Sequence, residues 1–167
     1  MKTDRDIARV SLRVGQKLLR RGIRLATAES CTGGWVAKAV TDVAGSSQWF
    51  AEGWVTYSND AKHLRLGVPV SLLKRHGAVS EATVAAMAKG AMLRSRAGIA
   101  LAVSGIAGPG GAVDGKPVGT VWFAWAVRSG RGVRVRTLRK RFRGDRAAVR
   151  RKATLRALQG ISTSLIQ

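Results

Sequence analysis

The chain has 167 residues, 46% of them hydrophobic, which is long enough for a core of its own, suits a single domain over 1–167 and is too apolar for a disordered chain. One cysteine, Cys31, excludes an internal disulfide framework and fits a reducing cytoplasm, and with only two histidines beside it no zinc-ligand spacing exists. Thirty basic residues against nine acidic ones give a formal charge of +21, a surface suited to anionic partners: nucleic acid, anionic membranes or a small phosphorylated substrate.

The charge is uneven along the chain. Eight basic residues precede Leu25 and thirteen lie between Arg128 and Arg156, while the middle is nearly balanced. Solvated arginine on exposed faces is the plain alternative to a binding surface. No aromatic RNA-binding motif, GXXG clamp or zinc finger accompanies the charge. The amino end, Met1-Lys2-Thr3-Asp4-Arg5, lacks the apolar stretch of an export signal, and the uncharged segment 97–113 is short and broken by Gly and Pro. Neither reads as a membrane span.

Residues 4–21 read as an amphipathic helix, with Ile7, Val10, Val14 and Leu18 three or four apart, Asp4 and Asp6 at its positive end and Gly22 as its stop. A first strand over 23–28 runs into Glu29-Ser30-Cys31-Thr32-Gly33-Gly34, after which Trp35 opens a helix over 35–43. A strand that stops on a serine and turns into a glycine-rich helix start sets a hydroxyl and free backbone N–H groups at one sheet edge, where phosphate or a developing oxyanion is favoured. The layout is like a nucleophile elbow without Gly-x-Ser-x-Gly; a tight strand-to-helix turn with a capping serine is the plain alternative.

A turn over 45–50 precedes a strand around 53–57. Ser58-Asn59-Asp60 then cap a short helix that carries Lys62 in its first turn and ends at Gly67. A second short helix covers 70–76, and Ser80 caps a longer one from Glu81 to about Arg96, burying Val84, Met87, Ala88 and Ala91. The apolar run 99–104 is a strand covered on both faces. A glycine-rich loop from Gly105 to Gly119 follows, too long for a mere connector. Strands over 120–127 and 133–142 form a hairpin through the turn 129–132, and Asp145 caps a last helix from Arg146 to about Leu165. The order implies a three-layer α/β/α sandwich around a mixed, mostly parallel sheet.

If the first strands are parallel, the turns after them meet in one cleft. That gathers the hydroxyls of Ser30, Thr32 and Ser104, the Lys62 amine and the Tyr57 phenol, with no carboxylate pair. Such a set suits acyl chemistry in which lysine takes the serine proton, which requires burial or cationic neighbours to lower the lysine pKa. Ser47 is a second candidate hydroxyl. Each has an ordinary alternative: Lys62 as a surface lysine, Tyr57 as an edge aromatic, Ser47 as a turn residue, His63 and His76 as surface or capping residues. Arg146 opposes the dipole at its helix start, a local conflict that suits a phosphate ligand.

Several of these motifs occur in register with a known family. Ala28-Glu29-Ser30-Cys31-Thr32-Gly33-Gly34, Val55-Thr56-Tyr57-Ser58-Asn59 with Lys62, His76-Gly77-Ala78-Val79-Ser80-Glu81, Ser104-Gly105-Ile106-Ala107-Gly108-Pro109-Gly110-Gly111, Lys116-Pro117-Val118-Gly119-Thr120-Val121 and Gly144-Asp145-Arg146 resemble the CinA carboxy-terminal domain family over about residues 5–165. Many relatives carry threonine where this chain has Ser104, so a hydroxyl is kept there. The resemblance implies an α/β/α sandwich, a homodimer, no metal or organic cofactor, and hydrolysis of nicotinamide mononucleotide to nicotinic acid mononucleotide and ammonia in pyridine nucleotide salvage. The nucleotide-hydrolysing domain that precedes this module in longer members has no counterpart in the sequence.

Set against that substrate, the candidate nucleophile is Ser30, with Ser47 as its rival, and Lys62 is the candidate base oriented by Tyr57. Backbone donors from Cys31 to Gly34, through Thr32 and Gly33, would meet the oxyanion. Ser104, Gly105, Gly108 and Arg146 would take the ribose and phosphate. The second reading is a catalytically silent module whose basic surface docks on nucleic acid or a protein.

Overall fold

The computed structural model describes residues 4–130 and 132–165. Residues 1–3 of the amino end and Arg131 of the turn expected over 129–132 lie outside the described residues. In chain order the elements are α1 (Asp4–Arg20), β1 (Leu25–Glu29), α2 (Trp35–Thr41), a 3-10 turn (Ser46–Gln48), β2 (Phe50–Val55), α3 (Asn59–Leu66), α4 (Val70–His76), α5 (Glu81–Ser95), β3 (Ile99–Gly105), β4 (Thr120–Ser129), β5 (Gly132–Arg141) and α6 (Arg146–Ser164).

The five strands form one mixed sheet in the order β2-β1-β3-β4-β5. β1 pairs parallel with β2 and β3, and the hairpin β4–β5 adds antiparallel strands beyond β3. The sheet's two faces differ sharply in side-chain size. One carries Leu25, Ile99, Leu101, Val103, Val121, Phe123 and Trp125 and packs on α1, α2 and α6. The other carries Ala26, Ala28, Ala100, Ala102, Ala124 and Ala126, in register as Ala26↔Ala100↔Ala126 and Ala28↔Ala102↔Ala124. Period-2 alternation of bulky and small residues thus sets two layer thicknesses. The alanine face lets α5 approach the sheet through Val84, Met87, Ala88 and Ala91, with Leu66 and Leu73 of α3 and α4 beside it.

Gly90 makes the α5–α3 contact possible. A Cβ there would lie 1.9 Å from the Leu66 carbonyl oxygen, which also accepts from Arg94 Nη1 at 3.0 Å. Gly160 plays the same part in α6, where a Cβ would meet the Trp125 ring at 2.0 Å.

Part of the basic excess has a place inside this fold. Lys17, Arg136 and Arg21 donate to the carbonyls of Ser162, Gly160 and Leu165 at the end of α6, where cations meet the negative end of the dipole. Arg136 lies 4.3 Å from the centre of the Trp125 ring, and burial lowers its pKa. Among the described residues no helix is long and apolar enough to cross a membrane.

Because β1, β2 and β3 run parallel, Glu29, Val55 and Val103 are register partners at one sheet edge. The turns that follow all leave from that edge.

Candidate active site

Ser30 is the first residue beyond β1, held to the sheet by its own N–H on the Val103 carbonyl at 3.0 Å, and is buried. The chain turns under it at once: Gly33 N–H returns to the Ser30 carbonyl at 3.0 Å, and Gly33 and Gly34 take φ of 62° and 90°. Those left-handed angles favour glycine over any residue with a Cβ.

The turn is fixed further by a residue that the sequence marked only as a strand break. Glu29 is fully buried; its Oε2 accepts from Thr32 Oγ1 at 2.6 Å and Val36 N at 3.0 Å, and its Oε1 from Ala37 N at 2.8 Å. These are first-turn donors of α2, whose N-cap position is Gly34 with no side chain to serve them. Some of the N–H groups expected to face an anion are therefore already taken. Those of Thr32 and Gly34 have no partner among the described residues, while that of Cys31 lies against its own thiol.

Lys62 enters from α3, which starts at Ser58, whose Oγ accepts from Ala61 N at 3.0 Å. Lys62 and Leu66 form the buried face of that helix, and Lys62 has no solvent exposure. Its Nζ lies 3.1 Å from Ser30 Oγ and donates to the carbonyls of Thr56 at 2.7 Å and Tyr57 at 2.8 Å. It has no ion-pair partner among the described residues. Burial without a counter-charge brings its pKa down from 10.5 to about 8. The neighbouring Cys31 thiol is also buried, and desolvation pushes its pKa up to about 12, so it stays protonated.

Tyr57 reaches Lys62 through its backbone carbonyl. Its side chain is 62% exposed, and the phenol oxygen accepts from Arg146 Nη2 at 3.2 Å. Arg146 Nη1 also donates to the Gly108 carbonyl at 2.9 Å, so Arg146 links the chain after β2 to the glycine-rich loop at the start of α6. Asp145 caps that helix, accepting from Ala148 N at 2.8 Å.

Ser104 is buried and donates to the Ala78 carbonyl at 2.8 Å, tying β3 to the segment before α5. Gly105 packs against the Thr120 carbonyl, where a Cβ would stand at 2.8 Å, and Gly108 has φ of 82°. The structure thus brings Ser30, Lys62 and the Tyr57 backbone together, with Thr32, Gly33 and Gly34 beneath and Ser104, Gly105, Gly108 and Arg146 along the same edge. It does not bring Ser47 there. Ser47 is exposed in the 3-10 turn before β2, at the amino edge of the sheet, about 15 Å from the carboxyl edge at ~3.3 Å per strand residue.

A family model described as the CinA C-terminal domain matches residues 7–165. The chain belongs to the CinA C-terminal domain family. One CinA-family relative, the nicotinamide-nucleotide amidohydrolase PncC of Escherichia coli strain K12, is 54% identical over 165 residues, covering 99% of this chain and 98% of the relative. PncC of Pseudomonas putida is 51% identical over 155 residues, covering 93% and 94%. Among solved CinA structures, the competence/damage inducible protein CihA from Agrobacterium tumefaciens superposes with a TM-score of 0.91 at 43% identity, over 97% of this chain and 96% of that one.

Two residues of this CinA domain at the site escape a reading of motifs alone. Glu29 is one; its signal is an acid in an apolar strand just before a helix that starts on glycine. Arg150 is the other: it donates from α6 to the Cys31 carbonyl at 3.1 Å and the Thr32 carbonyl at 3.0 Å. It stands four residues after Arg146, on the same helix face. A groove of about 450 Å³ between α1, α2 and α6 shares Gly33, Gly34 and Arg150 with this edge, but neither Ser30 nor Lys62 lines it.

Proposed function

We propose that this chain is a nicotinamide-nucleotide amidohydrolase, which hydrolyses the carboxamide of nicotinamide mononucleotide to the acid and ammonia. The observation that carries the mechanism is the contact between a buried, uncompensated Lys62 amine and Ser30 Oγ at 3.1 Å. The PncC name of relatives sharing half their residues supports the substrate.

In this mechanism neutral Lys62 accepts the Ser30 proton while Ser30 Oγ bonds to the carboxamide carbon. The carbonyls of Thr56 and Tyr57 hold the two amine hydrogens, which leaves the nitrogen lone pair for the serine hydroxyl. The tetrahedral oxyanion is met by free N–H groups of the turn, that of Thr32 first among them. Lys62 then returns its proton to the departing nitrogen; ammonia leaves and a Ser30 ester remains. Water, deprotonated by Lys62, cleaves that ester to the carboxylate and restores the serine.

Arg146 and the N-terminus of α6 supply the positive field for the substrate phosphate. The Ser104–Gly108 stretch supplies a close-packed wall for the ribose.

A homodimer belongs to the same proposal. The stretch from Phe50 to Asp60 has no Lys or Arg in a chain of charge +21, and it exposes Val55 at the end of an edge strand and Tyr57 just beyond it. A second copy would meet least repulsion there. Cytoplasmic residence fits the one free, buried cysteine.

The direct test is ammonia release from nicotinamide mononucleotide by the purified protein. Ser30→Ala and Lys62→Ala should each lose most of the rate while keeping the wild-type circular dichroism. Salt-sensitive DNA binding with no ammonia release would favour the silent binding module instead.

A further inference from the structure

We infer that Arg150 is a positioning residue for the oxyanion donor, acting through the Cys31–Thr32 peptide without touching the substrate. This rests on Ser30 as the nucleophile.

Arg150 Nε and Nη2 reach across from α6 to the carbonyls of Cys31 and Thr32, the two residues that follow Ser30. Its guanidinium carbon lies 5.6 Å from the Trp35 ring centre, so α2 supports it from the far side. It has no ion-pair partner among the described residues. A planar, permanently charged fork is thus committed to two backbone oxygens of one turn.

Peptide geometry gives that commitment a consequence. The one cis peptide among the described residues is Gly108–Pro109, so Cys31–Thr32 is trans, with its C=O and N–H antiparallel. Holding the Cys31 oxygen toward α6 turns the Thr32 N–H to the opposite side. Thr32 is also held by its side chain, which donates to Glu29, and by its own carbonyl, which Arg150 and Trp35 N share. Of the polar groups of Thr32, only the N–H has no protein partner among the described residues. The Cys31 N–H is set in the same way, because the Ser30 carbonyl in its peptide accepts from Gly33 N. Arg150 therefore fixes the direction of a donor that it never contacts.

The experiment compares Arg150→Ala, Arg150→Lys and Arg150→Met with Ser30→Ala in the ammonia-release assay, with kcat, KM and the pH profile measured for each. Misaiming one donor should lower kcat by roughly 10- to 100-fold. KM should stay within about threefold and the pH profile should keep its midpoint, since Lys62 is untouched. Added guanidinium should restore part of the rate to Arg150→Ala and none to Arg150→Met, whose side chain fills the space. Hydrogen exchange at the Thr32 amide should quicken in all three variants.

A raised KM with unchanged kcat would make Arg150 a direct substrate ligand and overturn the inference. So would an unchanged kcat, a moved midpoint, or loss of the fold in all three variants. Full rate in Ser30→Ala would instead refute the nucleophile, a result separate from any of these.

Discussion

Lys62 Nζ and Ser30 Oγ stand 3.1 Å apart, and what tunes the pair is burial against carbonyl oxygens, with no opposing charge. A pKa near 8 leaves roughly a tenth of the amine neutral at pH 7. Activity that needs the neutral form should therefore climb about tenfold per pH unit below 8 and level off above it. Initial rates of ammonia release at low substrate concentration between about pH 6 and 9.5 would show that limb. A rate that falls as pH rises through 8 would mean Lys62 works as an ammonium in the free enzyme.

The same amine links stability to pH. Its folded pKa, about 8, is below the ordinary 10.5. Between those values the unfolded chain holds a proton that the folded chain lacks, so raising the pH favours the folded state. The gain across that window is on the order of 3 kcal/mol, from ~1.4 kcal/mol per pH unit. It should appear as the difference between wild type and Lys62→Met in urea unfolding at pH 8 and pH 10.5. Subtracting the variant removes the pH dependence of the many other cations. Parallel curves for the two proteins would mean that Lys62 does not titrate in that window.

Much of this was legible in the sequence because it rested on period and chain order. The three-four spacing of Ile7, Val10, Val14 and Leu18 gives α1, and the apolar run from Ile99 gives β3. β2, expected around 53–57, starts earlier at Phe50 and ends at Val55, which leaves Tyr57 outside the strand. Alternation stops at a strand end, so nothing in the sequence says that the phenol turns to Arg146 while the carbonyl turns to Lys62. Ser47 was within reach of the rule that placed Ser30: residues before a parallel strand sit at the opposite edge from residues after it. Glu29 and Arg150 were not, since each is defined by partners brought to it by the turn or by α6, from 3 to 119 positions away.

Gly90 joins packing to chemistry. On helix propensity alone Gly90→Ala would stabilise α5 by about 1 kcal/mol. The new Cβ would instead stand 1.9 Å from the Leu66 carbonyl oxygen, a backbone atom at the end of α3 that cannot rotate away. Relief requires α3 to lift from α5, and Lys62 is one turn before Leu66 on the same buried face. The variant should lose about 1–3 kcal/mol of stability. Its kcat should fall as well, because Lys62, the proposed base, moves with its helix. Urea midpoints and ammonia-release rates test both halves; a more stable variant with full activity would contradict the contact.

Arg146, the proposed phosphate ligand, offers a test that separates binding from chemistry. It spans the Tyr57 phenol and the Gly108 carbonyl at the N-terminus of α6, exposed where Lys62 is buried, and makes no hydrogen bond to Ser30. A charge-assisted contact to phosphate is worth ~1.5–3 kcal/mol, so Arg146→Ala should raise KM for nicotinamide mononucleotide by roughly 10- to 100-fold. The change in kcat should be smaller. With the dephosphorylated nucleoside as substrate, wild type and variant should converge, because the proposed partner of Arg146 is gone. Tyr57→Phe removes only one neutral partner of the guanidinium and should shift KM by a fewfold at most. An Arg146→Ala enzyme whose kcat collapses at unchanged KM would place this arginine at the reacting carbonyl and move the phosphate elsewhere along the edge.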